Sequence, residues 1–263
     1  MDRALKTAAS GMYAQQLNVD TIANNLANVN TTGFKDTRVE FQDLMYETLR
    51  ATGTPDQSGG TPPAELQVGD GTVPSSTTRD FTQGSVTQTG NQLDFAVQGD
   101  GFFRIRMPDG TEAYTRDGSF KMSSNGSIVT SNGYIVEPGL TIPQDTTAIQ
   151  VGADGTVSAT VSGQTNPVTL GQIEFAKFIN PAGLNAIGSD LYQETVASGT
   201  PILGNPGSTG FGNIQQGSLE SSNVSVVTEM VNMIAAERAY ELNSKAIQTA
   251  DSMQQLANNL KSQ

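Results

Sequence analysis

The sequence predicts an α+β protein: paired N- and C-terminal coiled-coil helices flanking an inserted, antiparallel all-β domain. Three observations predict it. Near the N-terminus, Leu5, Ala8, Met12, Gln15, Val19, Ile22, Leu26 and Val29 recur at alternating steps of three and four. Near the C-terminus, Ala235, Ala239, Leu242, Ala246, Thr249, Met253, Leu256 and Leu260 do the same. Between them the apolar period changes to two, punctuated by Asp-Gly and Asn-Gly pairs. A 3-4 spacing keeps a narrow apolar seam on one side of a helix. Two seams so distant in sequence bury each other only if the chain ends meet in space. Residues 1–32 and 222–263 therefore read as a discontinuous stalk, 33–78 as a connecting segment, 79–215 as the β-domain and 216–221 as a return linker.

The first helix is expected from Asp2 or Arg3 to about Asn30, stopping at Thr31-Thr32-Gly33, where the glycine can take a left-handed conformation. Its outward positions carry Gln16, Asn18, Thr21, Asn24, Asn25 and Asn28 in place of Glu and Lys. Amides have modest helix propensity. They suit a crowded, charge-free contact with other helices, or else form a merely polar surface. Phe34 to Leu49 reads as extended and then helical, and residues 52–64 as a Gly/Pro/Ser loop.

Strand signals follow. Leu93, Phe95 and Val97 alternate with Asp94, Ala96 and Gln98; Phe103, Ile105 and Met107 alternate with Arg104 and Arg106. Val157, Ala159 and Val161 alternate with Ser158 and Thr160, and Ile173 and Phe175 flank Glu174. Asp109-Gly110, Asp117-Gly118, Asn125-Gly126 and Asn132-Gly133 supply the positive φ angles of tight hairpins. Residues 181–220 lose this rhythm and read as a return path. The last helix begins near Ser222 or Ser225, either a suitable cap.

The composition excludes much chemistry. With 14 basic and 26 acidic residues in 263, the net charge is -12, most of it in the middle of the chain. A field of that sign argues against nucleic acid and anionic membranes as partners. There is no cysteine and no histidine, which removes disulfides, thiolate sites and the commonest general base. No apolar run is long enough for a secretory signal or a membrane span, so composition alone predicts a cytoplasmic protein. Asp94, Asp100, Asp109, Glu112 and Asp117 lie close in sequence, but turn chemistry accounts for the Asp-Gly pairs. The expectation is no enzyme, no metal and no cofactor.

Several runs are recognisable as motifs. They are Ala23-Asn24-Asn25-Leu26-Ala27-Asn28 with Thr31-Thr32-Gly33-Phe34-Lys35, Leu93 to Phe103 including Gly99-Asp100-Gly101-Phe102-Phe103, and Tyr114 to Phe120. Ser222-Asn223-Val224, Asn232-Met233-Ile234 and Arg238-Ala239-Tyr240-Glu241 complete the set. In this order they resemble the bacterial flagellar rod and hook family, and they bracket nearly the whole chain. The resemblance implies a structural, self-assembling subunit of a helical tubular drive shaft, and the length and single modest β-domain imply the distal part of the rod. It implies export unfolded by the flagellar type III apparatus without a cleaved signal, and a periplasm-spanning place in the basal body. The implied partners are further copies of the chain, proximal rod proteins, hook or hook-junction proteins and the surrounding rings. Two alternatives stand beside it: another axial protein of the same organelle (a β-domain-bearing proximal rod subunit or a short hook protein), and a secreted β-domain adhesin on a coiled-coil stalk.

Overall fold

A computed structural model describes residues 2–50, 64–163 and 166–261, with the side chains of Asp2 and Lys261 left aside. The chain forms two compact units. One holds residues 1–26, 37–78 and 225–263; the other holds 27–36 and 79–224. The expected 52–64 loop lies, but for its last residue, outside the described residues.

The helical unit is built on α1 (Asp2–Ala27) and α2 (Val226–Lys261). α1 ends three residues before the expected Asn30 and passes into a turn in which Thr31 N–H donates to Asn28 O at 3.1 Å. Of the two suggested starts for α2, Ser225 is the one observed: Glu229 N–H donates to Ser225 O at 2.9 Å. The helices run antiparallel. Asn25 on α1 meets Glu229 on α2, and Gly11 meets Asn243.

The other described residues of this unit are largely extended, without the helix expected before Leu49. Strand Thr37–Asp43 pairs with Thr72–Arg79, and Tyr46–Arg50 pairs antiparallel with Leu66–Gly69. Thr37 and Thr72 open β-rich runs, and Thr78 and Ser76 both donate to Glu40 at 3.1 Å, closing the first ladder with side-chain bonds. The second ribbon is exposed on both faces, with Tyr46 at 55% and Leu66 at 52%.

The β-unit is antiparallel. Its main sheet runs in the order Asn185–Gly188, Leu191–Gln193, Glu112–Thr115, Phe102–Arg106, Ile135–Val136, Ile128–Val129, Lys121–Met122. Strand Phe175–Lys177 also pairs with Phe102–Arg106 and carries Ile202–Gly204 on its other side. Thr146–Val151, Thr156–Val161 and Val168–Gln172 form a separate three-stranded meander. Residues 181–220 therefore contribute five short strands to the β-unit and are not only a return path. Short strands of three or four residues that donate to distant partners carry too little periodicity to be seen locally.

Both faces of the central sheet are covered. Phe103 and Ile105 face a core with Phe95, Phe120, Phe175 and Val157, while Phe102, on the opposite face, joins Tyr114, Phe178 and Tyr192. Phe103 is wholly buried, edge-on to Phe120 at 5.0 Å and to Phe175 at 5.3 Å. Such pairs add about 0.5–1.5 kcal/mol each beyond their burial.

Three of the four turn pairs behave as expected, with Gly110, Gly126 and Gly133 at φ 83, 79 and 85°. Asp117-Gly118 is different. The Asp117 carboxylate accepts from Ser119 N–H and Oγ, making a side-chain turn beside the Phe95 carbonyl rather than a hairpin.

Candidate assembly surface

The β-unit begins with residues 27–36 and ends at Val224, wider than the expected 79–215, because its two end segments close on each other. Gly33 sits at φ 71° and donates its N–H to Glu220 O at 2.8 Å. A Cβ there would lie 2.7 Å from the Arg116 carbonyl carbon, so only glycine fits by both conformation and space. Two residues on, Lys35 is fully buried. Its Nζ donates to Glu220 Oε1 at 2.6 Å and to Thr82 O at 2.7 Å. Glu220 also accepts from Gly84 N–H at 3.0 Å and from Arg116 Nη1 at 3.3 Å, and Arg116 Nη2 donates to Gly99 O at 2.9 Å. Burial pushes both Lys35 and Arg116 down from their ordinary values, against the pull of Glu220. Next to this triad, Asp36 N–H donates to Asn223 Oδ1 at 2.7 Å, and Asn223 Nδ2 donates to Asp80 O at 2.8 Å. Gly33, Lys35, Arg116 and Asn223 thus tie five stretches of chain (33–36, 80–84, Gly99, Arg116 and 220–223) at one point.

Glu220 and its neighbours at 216–221 carried no sequence signal as a site; a lone charge in a segment rich in Ser and Gly looks solvated. Lys35 was visible only as the last residue of a motif.

In the helical unit, Asn25 is buried, not outward. It is the pivot of its end: Nδ2 donates to Thr37 O at 2.9 Å and to Glu229 Oε2 at 3.3 Å, while Oδ1 accepts from Thr37 N–H at 3.1 Å. Asn24 and Ala27 are exposed; Asn28 and Phe34 are half-buried.

The two helical seams fare differently. On α1, Ile22 is buried and Leu5, Met12, Val19 and Leu26 are half-buried, with Val29 half-buried just beyond it. On α2 the face turned to α1 is one residue off the expected stripe: Glu229, Ala236 and Ala250 are buried and Asn243 is half-buried. Leu242, Met253, Leu256 and Leu260 are 66, 50, 62 and 77% exposed; Ala235 and Ala246 are exposed and Ala239 is half-buried. The two apolar seams do not bury each other within the chain. Up to Ala250 the physical reason is size: Gly11, Ala236 and Ala250 let the helix backbones approach, and larger side chains on that face would hold them apart. Beyond it α2 has run past the start of α1, and all of residues 251–260 are exposed. A groove of about 410 Å³ is lined by Gln16 and Val19 of α1 and Glu237, Tyr240 and Glu241 of α2. Tyr240 is 42% exposed and Arg238 is exposed.

The acidic residues of the middle make structural contacts. Asp94 accepts from Thr89 and Asn91, Glu112 pairs with Arg104 at 2.8 Å, and exposed Asp100 pairs with Lys177 at 2.7 Å. Gly99 is exposed, and Gly101, Phe102 and Phe103 are buried behind it. Among the described residues no cluster of three or more acidic side chains has metal-binding geometry, and no helix is long and apolar enough to cross a membrane.

Ties between chain ends and an outward apolar helix stripe are features of an assembly subunit, and comparison with known proteins agrees. Residues 5–35 match the family model described as "Flagella basal body rod protein", 96–159 "Flagellar hook protein FlgE/F/G D1 domain" and 215–260 "Flagellar basal body rod FlgEFG protein C-terminal". The chain is 56% identical over 265 residues to the flagellar basal-body rod protein FlgG of Borreliella burgdorferi, covering 100% of both. It is 49% identical over 261 residues to FlgG of Caulobacter vibrioides, covering 99% of this chain and 100% of the relative.

This chain belongs to the FlgG family of flagellar basal-body rod proteins.

FlgG of Bacillus subtilis aligns at 40% over 269 residues, 99% of this chain and 100% of that one. The flagellar hook protein FlgE of Helicobacter mustelae is 43% identical over 138 residues, 52% of this chain but 30% of its own length. The family's rod signature spans α1 and the turn that carries Gly33 and Lys35, so the motif residues with the tightest packing are those that close the β-unit.

Proposed function

We propose that this chain is the structural subunit of the distal rod, polymerising into a helical tube that transmits torque to the hook. The observation that carries this reading is the exposed apolar surface of α2: Leu242, on the side away from the paired face, and Met253, Leu256 and Leu260, on the stretch that runs on past the start of α1. An apolar seam with no partner in its own chain serves contacts with neighbouring copies. In this reading α1 and α2 form the inner tube, with Leu5, Met12, Val19, Ile22, Leu26, Val29, Ala235, Ala239, Leu242, Ala246, Met253, Leu256 and Leu260 among the contact residues. Proximal rod proteins, hook or hook-junction proteins and the surrounding rings are its neighbours, and the subunit reaches the periplasm through the type III apparatus without a cleaved signal. The chain works as a mechanical part and not as an enzyme.

Electron microscopy of basal bodies from a strain lacking this gene tests the reading. A rod truncated before its outer end, with no hook, is expected. Intact flagella would overturn it, and a complete rod lacking only its hook would move the chain to the hook.

A further inference from the structure

Residues 212–223, the last stretch of the β-unit, are bound to each of its other pieces. Among the described residues, strand Phe95–Gln98 has no ladder partner but Asn213–Gln216, and Val86–Gln88 none but Ser218–Glu220. Gly217 N–H donates to Asp94 O at 2.8 Å, and Gly212 N–H to Asp100 O at 2.7 Å, just before the central strand Phe102–Arg106. The three-stranded meander is held by the same stretch. Ile214 N–H donates to Ala153 O at 3.2 Å, while Gln216 accepts from Val151 N–H at 3.0 Å and donates to Ile149 O at 2.9 Å. The Ile214 side chain joins Phe95, Val97, Phe103 and Val157 in the main core. Glu220 reaches back 136 residues to Gly84 N–H and 185 to Lys35, and it is the anion for both Lys35 and Arg116. Only α2 follows this stretch in the chain.

We propose that residues 212–223 are a strap that gates folding of the whole β-unit: until it docks, no part of the unit holds its fold. This device belongs to the single chain and rests on neither the rod nor the polymer reading. Three costs fall together when the strap is away. Strand Phe95–Gln98, three of whose four residues are buried, loses its ladder and leaves buried backbone groups unpaired. Lys35 and Arg116 lose their anion, and a buried charge stripped of its partner is strongly destabilising. The main core loses Ile214, and the meander loses the bonds that join it to the rest. What remains is a set of short strands, which are marginal without a covered face. Pairings that close so long a stretch of chain also form slowly. A chain that appears from its N-terminus, at the ribosome or through a channel, therefore keeps its β-unit open until the strap has appeared.

Native-state hydrogen exchange on the full-length protein, in urea below the unfolding transition, tests the gate. Amides of Gly212, Ile214 and Gly217 should converge, as urea rises, on the same opening free energy as those of Phe102–Arg106 and Glu112–Thr115. A strap that opens in a step of its own, at lower free energy and with the sheet still protected, would overturn the proposal. Refolding kinetics of the full-length Ile214→Ala variant give a second readout, with the milder Gln216→Ala in its place should the first fail to fold. On a logarithmic scale, about half or more of the lost equilibrium constant should appear as slower refolding. A smaller share, with the loss carried by faster unfolding, would mean that the strap docks on a sheet already folded, and would overturn the gate.

Discussion

Phe103 and Leu256 are both large apolar residues on regular elements, yet Phe103 is wholly buried and Leu256 is 62% exposed. The difference separates the two units. In the β-unit, apolar residues on both faces of the sheet are covered by loops and strands of the same chain, and even Lys35, Arg116 and Glu220 are buried with their charges paired. In the helical unit, the small and polar residues Gly11, Ala236, Ala250 and Asn25 make the internal contact, while Leu242, Leu256 and Leu260 face outward. The first unit builds its cores within a single chain. In the reading proposed above, the second keeps its most apolar helix surface for neighbouring copies. Isolated helices and two-stranded ribbons are marginal in water, so on that reading the helical unit gains most of its order on assembly.

The sharpest way to break this contrast is Leu242→Asp with Leu256→Asp. Monomer stability should stay within about 0.5 kcal/mol, as for ordinary exposed positions. In the polymer each copy would bury unpaired charges, at roughly 3–5 kcal/mol each. Rods should be absent from electron micrographs while the soluble protein melts as before; motile cells would refute the seam.

Phe103→Ala should do the reverse, costing about 3–5 kcal/mol through lost burial and the cavity left behind. Denaturant unfolding followed by near-ultraviolet circular dichroism checks it. Glu220→Ala belongs with it, leaving Lys35 and Arg116 buried without their anion at a cost of roughly 3–5 kcal/mol. A loss below 1 kcal/mol would mean the triad is not what closes the unit. Asn25→Ala is smaller, about 1–3 kcal/mol for unpaired buried groups at the Thr37 backbone and Glu229. It should raise amide exchange at Thr37 without moving the β-unit transition.

Acid has the smallest effect, and its sign is fixed. Hydrogen bonds from Thr111 and from Arg104 hold Asp109 and Glu112 below their ordinary values, and Thr156 does the same for Asp154. Their contribution is present above the ordinary carboxylate range and is lost as pH falls through the depressed values. Asp190, raised by burial, works in the opposite direction. The β-unit should therefore lose stability below that range, with Glu112→Gln flattening the profile; a Glu112→Gln profile as steep as the parent's would remove Glu112 from the account.

Much of this was legible in the sequence. The helix pair, the antiparallel β-domain and three tight turns follow from periodicity and from Asn-Gly and Asp-Gly pairs, because those signals are local. The strands within 181–220 were not legible. Residues such as Leu191 and Tyr192 are buried by partners near 114, far away in sequence. The inner face of α2 was misplaced by one position for a related reason. Apolar periodicity finds the stripe with the most hydrophobic side chains, while the contact inside the chain is made by alanines and an amide whose fit depends on Gly11 opposite. The Lys35–Arg116–Glu220 triad was illegible because its members come from three distant segments and burial of charge leaves no pattern in a single sequence.

The central claim is that the helical unit is finished only by assembly, and hydrogen–deuterium exchange on the dilute full-length monomer tests it most directly. The account predicts rapid exchange across 242–260 and in the first half of α1, alongside strong protection in Phe102–Arg106 and Glu112–Thr115. The same helical amides should become protected in purified rods. Helices in the monomer as protected as those sheet strands would contradict it.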